Sequence, residues 1–285
     1  MRWLIILVVL TVSSGESLLI TTKQGTLNGT RLEARNGKLF NAFYGIPYAQ
    51  PPVGKLRFKP PVEAEPWDGT RDATQLPTVC IQIIDGTNTT KSSEDCLYLD
   101  IYTPLNAREG DRFPVIVYIF GGKFKQGATF QNGPQFMMQH DVIIVYPNFR
   151  QGVFGFLSTG DTVIPGNFGL KDQTLALKWV QNNINHFGGD PNRVTLQGHS
   201  SGATCVHLHT LSPASKGLFH KVIIQSGVGC CPTGFFGPDV ARAITKEFAI
   251  KAGCPSVNSS QDMYECFMNM DPNTTTLVPE QMFGI

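Results

Sequence analysis

The sequence predicts an α/β fold, and three observations carry that expectation. Residues 114–120 and 141–147 are near-continuous apolar runs rich in Val and Ile, the pattern of strands buried on both faces. Residues 171–186 read as a helix, with Leu170, Leu177, Val180 and Ile184 on one stripe and Asn and Gln opposite. Residues 194–197, a helix over 200–211 and residues 222–225 then complete a β-α-β unit. Alternation of this kind predicts a mostly parallel central sheet covered by helices.

In chain order, the first fifteen residues read as a signal peptide. Arg2 supplies the positive start, residues 3–12 the apolar stretch, and Ser13-Ser14-Gly15 the small-residue cleavage zone. The stretch is too short to span a bilayer comfortably, no later segment is long and apolar enough, and secretion is the expected route. The rest of the first hundred residues read as antiparallel β, and Asn36-Gly37 signals a type I′ hairpin. Residues 47–66 hold too many prolines for central strands. Residues 97–102 are β-like and stop at Pro104. The strand at 222–225 is expected to have one open side, an aggregation hazard, with helices and loops over 239–285 covering part of it.

Composition narrows the function classes. At 285 residues and 41% hydrophobic the chain fills one large domain or two small ones. A formal net charge of +1 gives no electrostatic footprint for nucleic acid or an anionic membrane. Four Asn-x-Ser/Thr sequons, at Asn28, Asn88, Asn258 and Asn273, fit a secretory route with glycosylation. Seven cysteines in an oxidising compartment imply disulfides plus an odd thiol. Cys80 with Cys96 and Cys254 with Cys266 are the expected pairs, each closing a short polar loop that carries a sequon. Cys205, Cys230 and Cys231 remain, and Cys205 reads as a buried small hydrophobe.

Chemistry is concentrated at Gly198-His199-Ser200-Ser201-Gly202. A Gly-x-Ser-x-Gly motif between a strand pattern and a helix pattern is a nucleophile elbow, whose glycines permit a turn too tight for side chains. Ser200 is therefore the candidate nucleophile, and a serine nucleophile needs a base to take its proton.

Three further stretches carry a resemblance. They are residues 94–104 (Glu-Asp-Cys-Leu-Tyr-Leu-Asp-Ile-Tyr-Thr-Pro), residues 43–58 (Phe-Tyr-Gly-Ile-Pro-Tyr through Leu-Arg-Phe), and residues 148–157 with 166–173 before the elbow. With the elbow, the chain resembles the type-B carboxylesterase and cholinesterase family of α/β-hydrolases, over nearly everything after residue 15. The resemblance implies an α/β-hydrolase sheet with antiparallel N-terminal strands, and residues 16–285 as a partial carboxylesterase domain. It implies hydrolysis of small-molecule carboxylic esters through an acyl-enzyme on Ser200, with no cofactor and no metal. It also implies an oxyanion hole from the backbone N–H groups of Gly122, Lys123 and Ser201.

Departures from the family pattern qualify the activity. The Gly-rich loop has Phe120 where the family has His or Tyr, and Lys123 at its third glycine, a strained choice if the position needs positive φ. His199 replaces a glutamate and is expected to support or pack rather than act as base. The triad order is Ser, Asp/Glu, His, and the family's acid and histidine lie beyond the 85 residues that follow Ser200. The chain is thus expected to correspond to the N-terminal half, ending after the strand that follows the elbow, and to be inactive alone. The alternatives are a non-catalytic esterase-like binding or adhesion protein and a fragment without independent function. The loop between Cys80 and Cys96 has no tryptophan, which favours a general carboxylesterase over a cholinesterase.

Overall fold

The structure, a computed structural model, describes residues 17–82, 92–230, 236–273 and 275–276. The expected signal peptide, Asn88 and Cys231 lie outside these residues. Eleven strands are present among the described residues. They are β1 Leu18–Thr21, β2 Thr26–Glu33, β3 Leu39–Pro47, β4 Thr70–Asp72, β5 Val79–Cys80, β6 Ser92–Ser93, β7 Tyr98–Pro104, β8 Phe113–Ile119, β9 Ile143–Pro147, β10 Gly189–His199 and β11 Lys221–Gln225. The helices are α1 Gly152–Phe156, α2 Phe168–Asn183, α3 Ser201–Leu211, α4 Pro238–Lys251 and α5 Ser260–Asn269.

The main sheet runs in the order β1-β2-β3-β7-β9-β8-β10-β11, with β4 beside β2. Pairings from β1 through β7 to β9 are antiparallel. Those joining β9, β8, β10 and β11 are parallel. This is the expected α/β architecture with antiparallel N-terminal strands. The β5–β6 pair is parallel and separate, so the first hundred residues are not uniformly antiparallel. The proline-rich connector forms no strand, only a short 3-10 turn at Gly54–Leu56 and an isolated bridge from Ala49 to Glu63.

The β2–β3 hairpin forms, but its turn is not type I′. Of Asn36 and Gly37, only Gly37 has positive φ (82°). Its N–H donates to the Ala34 carbonyl, and Ala34 N–H to Lys38. One left-handed residue after a right-handed turn restores the strand twist, so Asn36 has no need of the left-handed region.

The core divides by layer. The largest cluster packs Val115, Val117, Ile119, Val145 and Leu196 of the parallel strands with residues of α2 and with Val206 of α3. The apolar runs of β8 and β9 are buried as their sequence required. In α2, however, the Asn/Gln face is not a solvent face: Asp172, Gln173 and Asn183 are fully buried. Each survives burial because it is partnered. Asp172 takes a two-pronged ion pair from Arg150, at 2.6 and 2.8 Å. Gln173 meets His209 at 2.9 Å, and Asn183 donates to the Trp179 carbonyl.

A second cluster holds α4 and α5, with Phe248 and Phe267 packed around Phe58, Phe154, Leu157 and Phe168. The expected cover for the edge strand is therefore spent elsewhere, on the α1–α2 side. Four of the five β11 residues are exposed, with Val222 at 38% and Ile223 at 41%. Both expected disulfides are formed, Cys80–Cys96 and Cys254–Cys266.

Candidate active site

Strands β8, β10 and β11 are adjacent and parallel, so all three release the chain on one edge of the sheet. Sites in open α/β sheets form at that carboxyl edge. In register, Gly198 of β10 lies between Ile119 of β8 and Ile224 of β11. The segments that follow, around Gly121, Ser200 and Ser226, accordingly meet.

Ser200 sits between β10 and α3 at φ 55°, ψ −127°. That is outside every region an L-residue favours and stores strain. Its N–H donates to Gln225 at 2.8 Å, and its carbonyl accepts from Thr204 at 3.1 Å. The motif glycines explain why this sequence folds so tightly. A Cβ on Gly198 would strike the Gly202 carbonyl, and one on Gly202 the carbonyls of Ile119 and Phe120. A Cβ on Gly227, after β11, would strike the Ser200 carbonyl. Among the described residues nothing is hydrogen-bonded to Ser200 Oγ, and Ser200 is half-buried. It stands at the N-terminal, positive end of α3.

The Gly-rich loop runs beside it. A Cβ on Gly121 would come within 2.6 Å of the His199 carbonyl oxygen and 2.9 Å of Ser200 Cβ. Phe120 is buried and stacks on Phe149 at 4.6 Å, an apolar anchor for the loop's entry. Lys123 and Phe124 both take positive φ, 58° and 60°. For Lys123 this is the strain expected from its place in the loop; Phe124 was missed because nothing in its residue type signals it. Phe124 is held on three sides. Its ring meets Phe156, its N–H donates to Ser201 Oγ at 3.3 Å, and its carbonyl accepts from Gly152 at 2.7 Å. At the loop's end, Gly127 is gripped through both backbone groups by the Gln82 amide, at 2.6 and 2.9 Å. The backbone N–H groups of Gly122, Lys123 and Ser201 donate to no protein acceptor among the described residues. Unpaired N–H groups beside a serine are what an anionic oxygen needs.

The third segment was also missed. Ser226 is exposed and has φ 62°, a second strained serine beside the first. The signal was a Ser-Gly pair directly after an apolar strand.

None of the six histidines is hydrogen-bonded to Ser200. His207 Nδ1 accepts from Gly229 N–H at 2.8 Å. His209 is buried between Ser215 and Gln173, and burial pushes its pKa down to about 4. His186 meets Glu109, His220 accepts from Val194, and His140 closes the turn before β9. His199 is exposed rather than packed, because its alternating position on β10 faces away from α3. Cys205 is buried, its thiol pushed up to about 12 by that burial, and Cys230 is an exposed free thiol.

Among the sequons, Asn258 and Asn273 are exposed. The Asn28 amide oxygen is buried on β2, between β1 and β4, a poor place for a glycan on the folded strand. No group of three or more metal-ligating side chains occurs among the described residues, and no helix among them is long and apolar enough to cross a membrane.

A mixed sheet whose parallel edge carries a strained serine turn against a glycine loop defines an α/β-hydrolase. The carboxylesterase family model matches residues 16–282, and the chain belongs to that family. It is 42% identical over 259 residues to the acylcarnitine hydrolase of Mus musculus, covering 86% of this chain and 46% of that protein. It is 45% identical over 217 residues to venom carboxylesterase-6 of Apis mellifera, covering 75% of this chain and 39% of that protein. The crystal structure of juvenile hormone esterase from Manduca sexta, with OTFP covalently attached, superposes with a TM-score of 0.87 at 36% identity. That match covers 92% of this chain and 51% of the esterase. The chain thus spans about half the length of the relatives it matches.

Proposed function

We propose that this chain carries the nucleophile half of a secreted carboxylic ester hydrolase, with Ser200 as nucleophile and Gly122, Lys123 and Ser201 as oxyanion donors. The observation that carries the reading is the strained, unpartnered Ser200 beside three unpaired backbone N–H groups. In the first step Ser200 Oγ bonds to the acyl carbon, the ester C–O bond breaks, and the serine's proton leaves with the alcohol. Water then attacks the acyl-serine, releasing the carboxylic acid and returning the proton to Oγ. Charge on the carbonyl oxygen grows only in the transition state, so donors placed for it accelerate both steps.

A base is required in each step, and the chain's own histidines are committed elsewhere or exposed. We assign the acid and the histidine to the part of the family's length that these residues do not span, and expect no turnover from the 285 residues by themselves. The N-terminal apolar stretch, two disulfides and a venom relative support secretion. Exposed Asn258 and Asn273 are the sequons best placed for glycans.

A non-catalytic binding protein is the rival reading, favoured by the strained Lys123 in the glycine loop. Fluorophosphonate labelling with peptide mapping separates the two. A hydrolase nucleophile reacts at Ser200 ahead of the other serines, slowly and faster as pH rises, and not in Ser200→Ala. Labelling scattered over many serines, or none, supports the binding protein.

A further inference from the structure

The three segments that meet at the site are residues 120–127, 198–202 and 225–229. Together they carry Lys123, Lys125 and His199, and not one Asp or Glu. The neighbouring Arg150 is neutralised by buried Asp172. The mouth is therefore cationic on a chain whose overall charge is only +1. Lys123 is exposed and in no ion pair among the described residues. It also occupies a left-handed position that glycine would hold without strain. Its backbone N–H is one of the three unpaired donors. Any acyl oxygen received there lies next to the root of a flexible four-carbon stem ending in a point charge.

We propose that Lys123 selects esters bearing a carboxylate close to the scissile carbonyl, the half-esters of short dicarboxylic acids being the simplest members. The proposal rests on Ser200 marking the ester site. The ammonium meets the substrate's free carboxylate while the N–H groups receive the ester carbonyl, so an anionic acyl group is held at two points. A neutral diester is held at one. The ion pair is solvent-exposed and worth only a few-fold in affinity, and salt weakens it.

The test is binding, read by NMR titration in the full chain carrying Ser200→Ala, so that no turnover intervenes. The probes are monomethyl succinate and dimethyl succinate. The monoanion is expected to bind about fivefold tighter at low salt. That advantage should vanish at about 0.5 M salt, where screening acts within a few ångströms. It should vanish equally in Lys123→Gln, which keeps the loop's length and strain. Lys123→Gly should also remove it while leaving dimethyl succinate affinity in place. Equal affinities, binding of neither ester, or an advantage that survives Lys123→Gln each overturns the proposal. The nucleophile reading is judged separately, by the labelling of Ser200, which needs no charge at residue 123.

Discussion

The elbow around Ser200 and the loop around Lys123 are both sharp turns at the ends of neighbouring parallel strands, yet they solve the same steric problem differently. At the elbow, each place where backbones nearly touch is a glycine: Gly198, Gly202 and, across from it, Gly227. The strain is confined to Ser200. In the loop, Gly122 fills the tightest spot, against Gln126, but the next two left-handed positions are Lys123 and Phe124. The contrast separates two demands for glycine. Lack of room is absolute, because backbone cannot yield. Positive φ alone costs about 1–2 kcal/mol and can be borne where a side chain is useful.

The largest test of that contrast is Gly202→Ala. Its methyl would meet two backbone carbonyls with nowhere to go, so α3 must move off β8. We expect a loss of about 4 kcal/mol or failure to fold, measured by urea unfolding. Replacing Cys80 and Cys96 together by Ser probes the loop's anchorage, since Gln82, two residues from Cys80, grips Gly127. A loss of about 3 kcal/mol is expected for a loop of this length.

Acid should act on the elbow's side through α3. His209, near the end of that helix, is held neutral with a pKa of about 4, below the ordinary 6.5. The unfolded chain therefore takes up the proton first, and stability falls as pH drops from 6.5 to 4, by at most about 3 kcal/mol. Buried Asp100, its carboxyl pushed up to about 7 by desolvation, slopes the other way over much of that window. The difference in melting temperature between the chain and His209→Gln, followed across pH 4–7, isolates the histidine: the gap should narrow as pH falls. A constant gap would show that His209 does not titrate as buried. The smallest effect is Lys123→Gly, expected to stabilise by about 0.5–1 kcal/mol, less than the relieved strain because glycine also loosens the unfolded chain. Destabilisation by that change would mean the loop does not need its left-handed turn.

Legibility in the sequence followed periodicity and motif. The Val/Ile runs of β8 and β9 and the Gly-x-Ser-x-Gly turn were readable because burial on both faces and close backbone approach leave few residue choices. The disulfide pairs were readable from short spacing. What escaped was decided by tertiary partners. The polar face of α2 is buried because Arg150 and His209 arrive from elsewhere in the chain, which no helical stripe reveals. The resting place of α4 and α5 depended on Phe58, some two hundred residues upstream. Left-handed Phe124 and Ser226 are positions any residue list would pass over, since their strain is compensated by contacts with Phe156, Ser201 and the strands beside them.

The central claim is that Ser200 is placed for attack while these residues bring it no proton acceptor. Steady-state hydrolysis of a nitrophenyl ester by the 285-residue chain, set against Ser200→Ala, tests it most directly. The two are expected to show the same rate. Turnover that depends on Ser200 would contradict the account and reveal a base that its geometry does not contain.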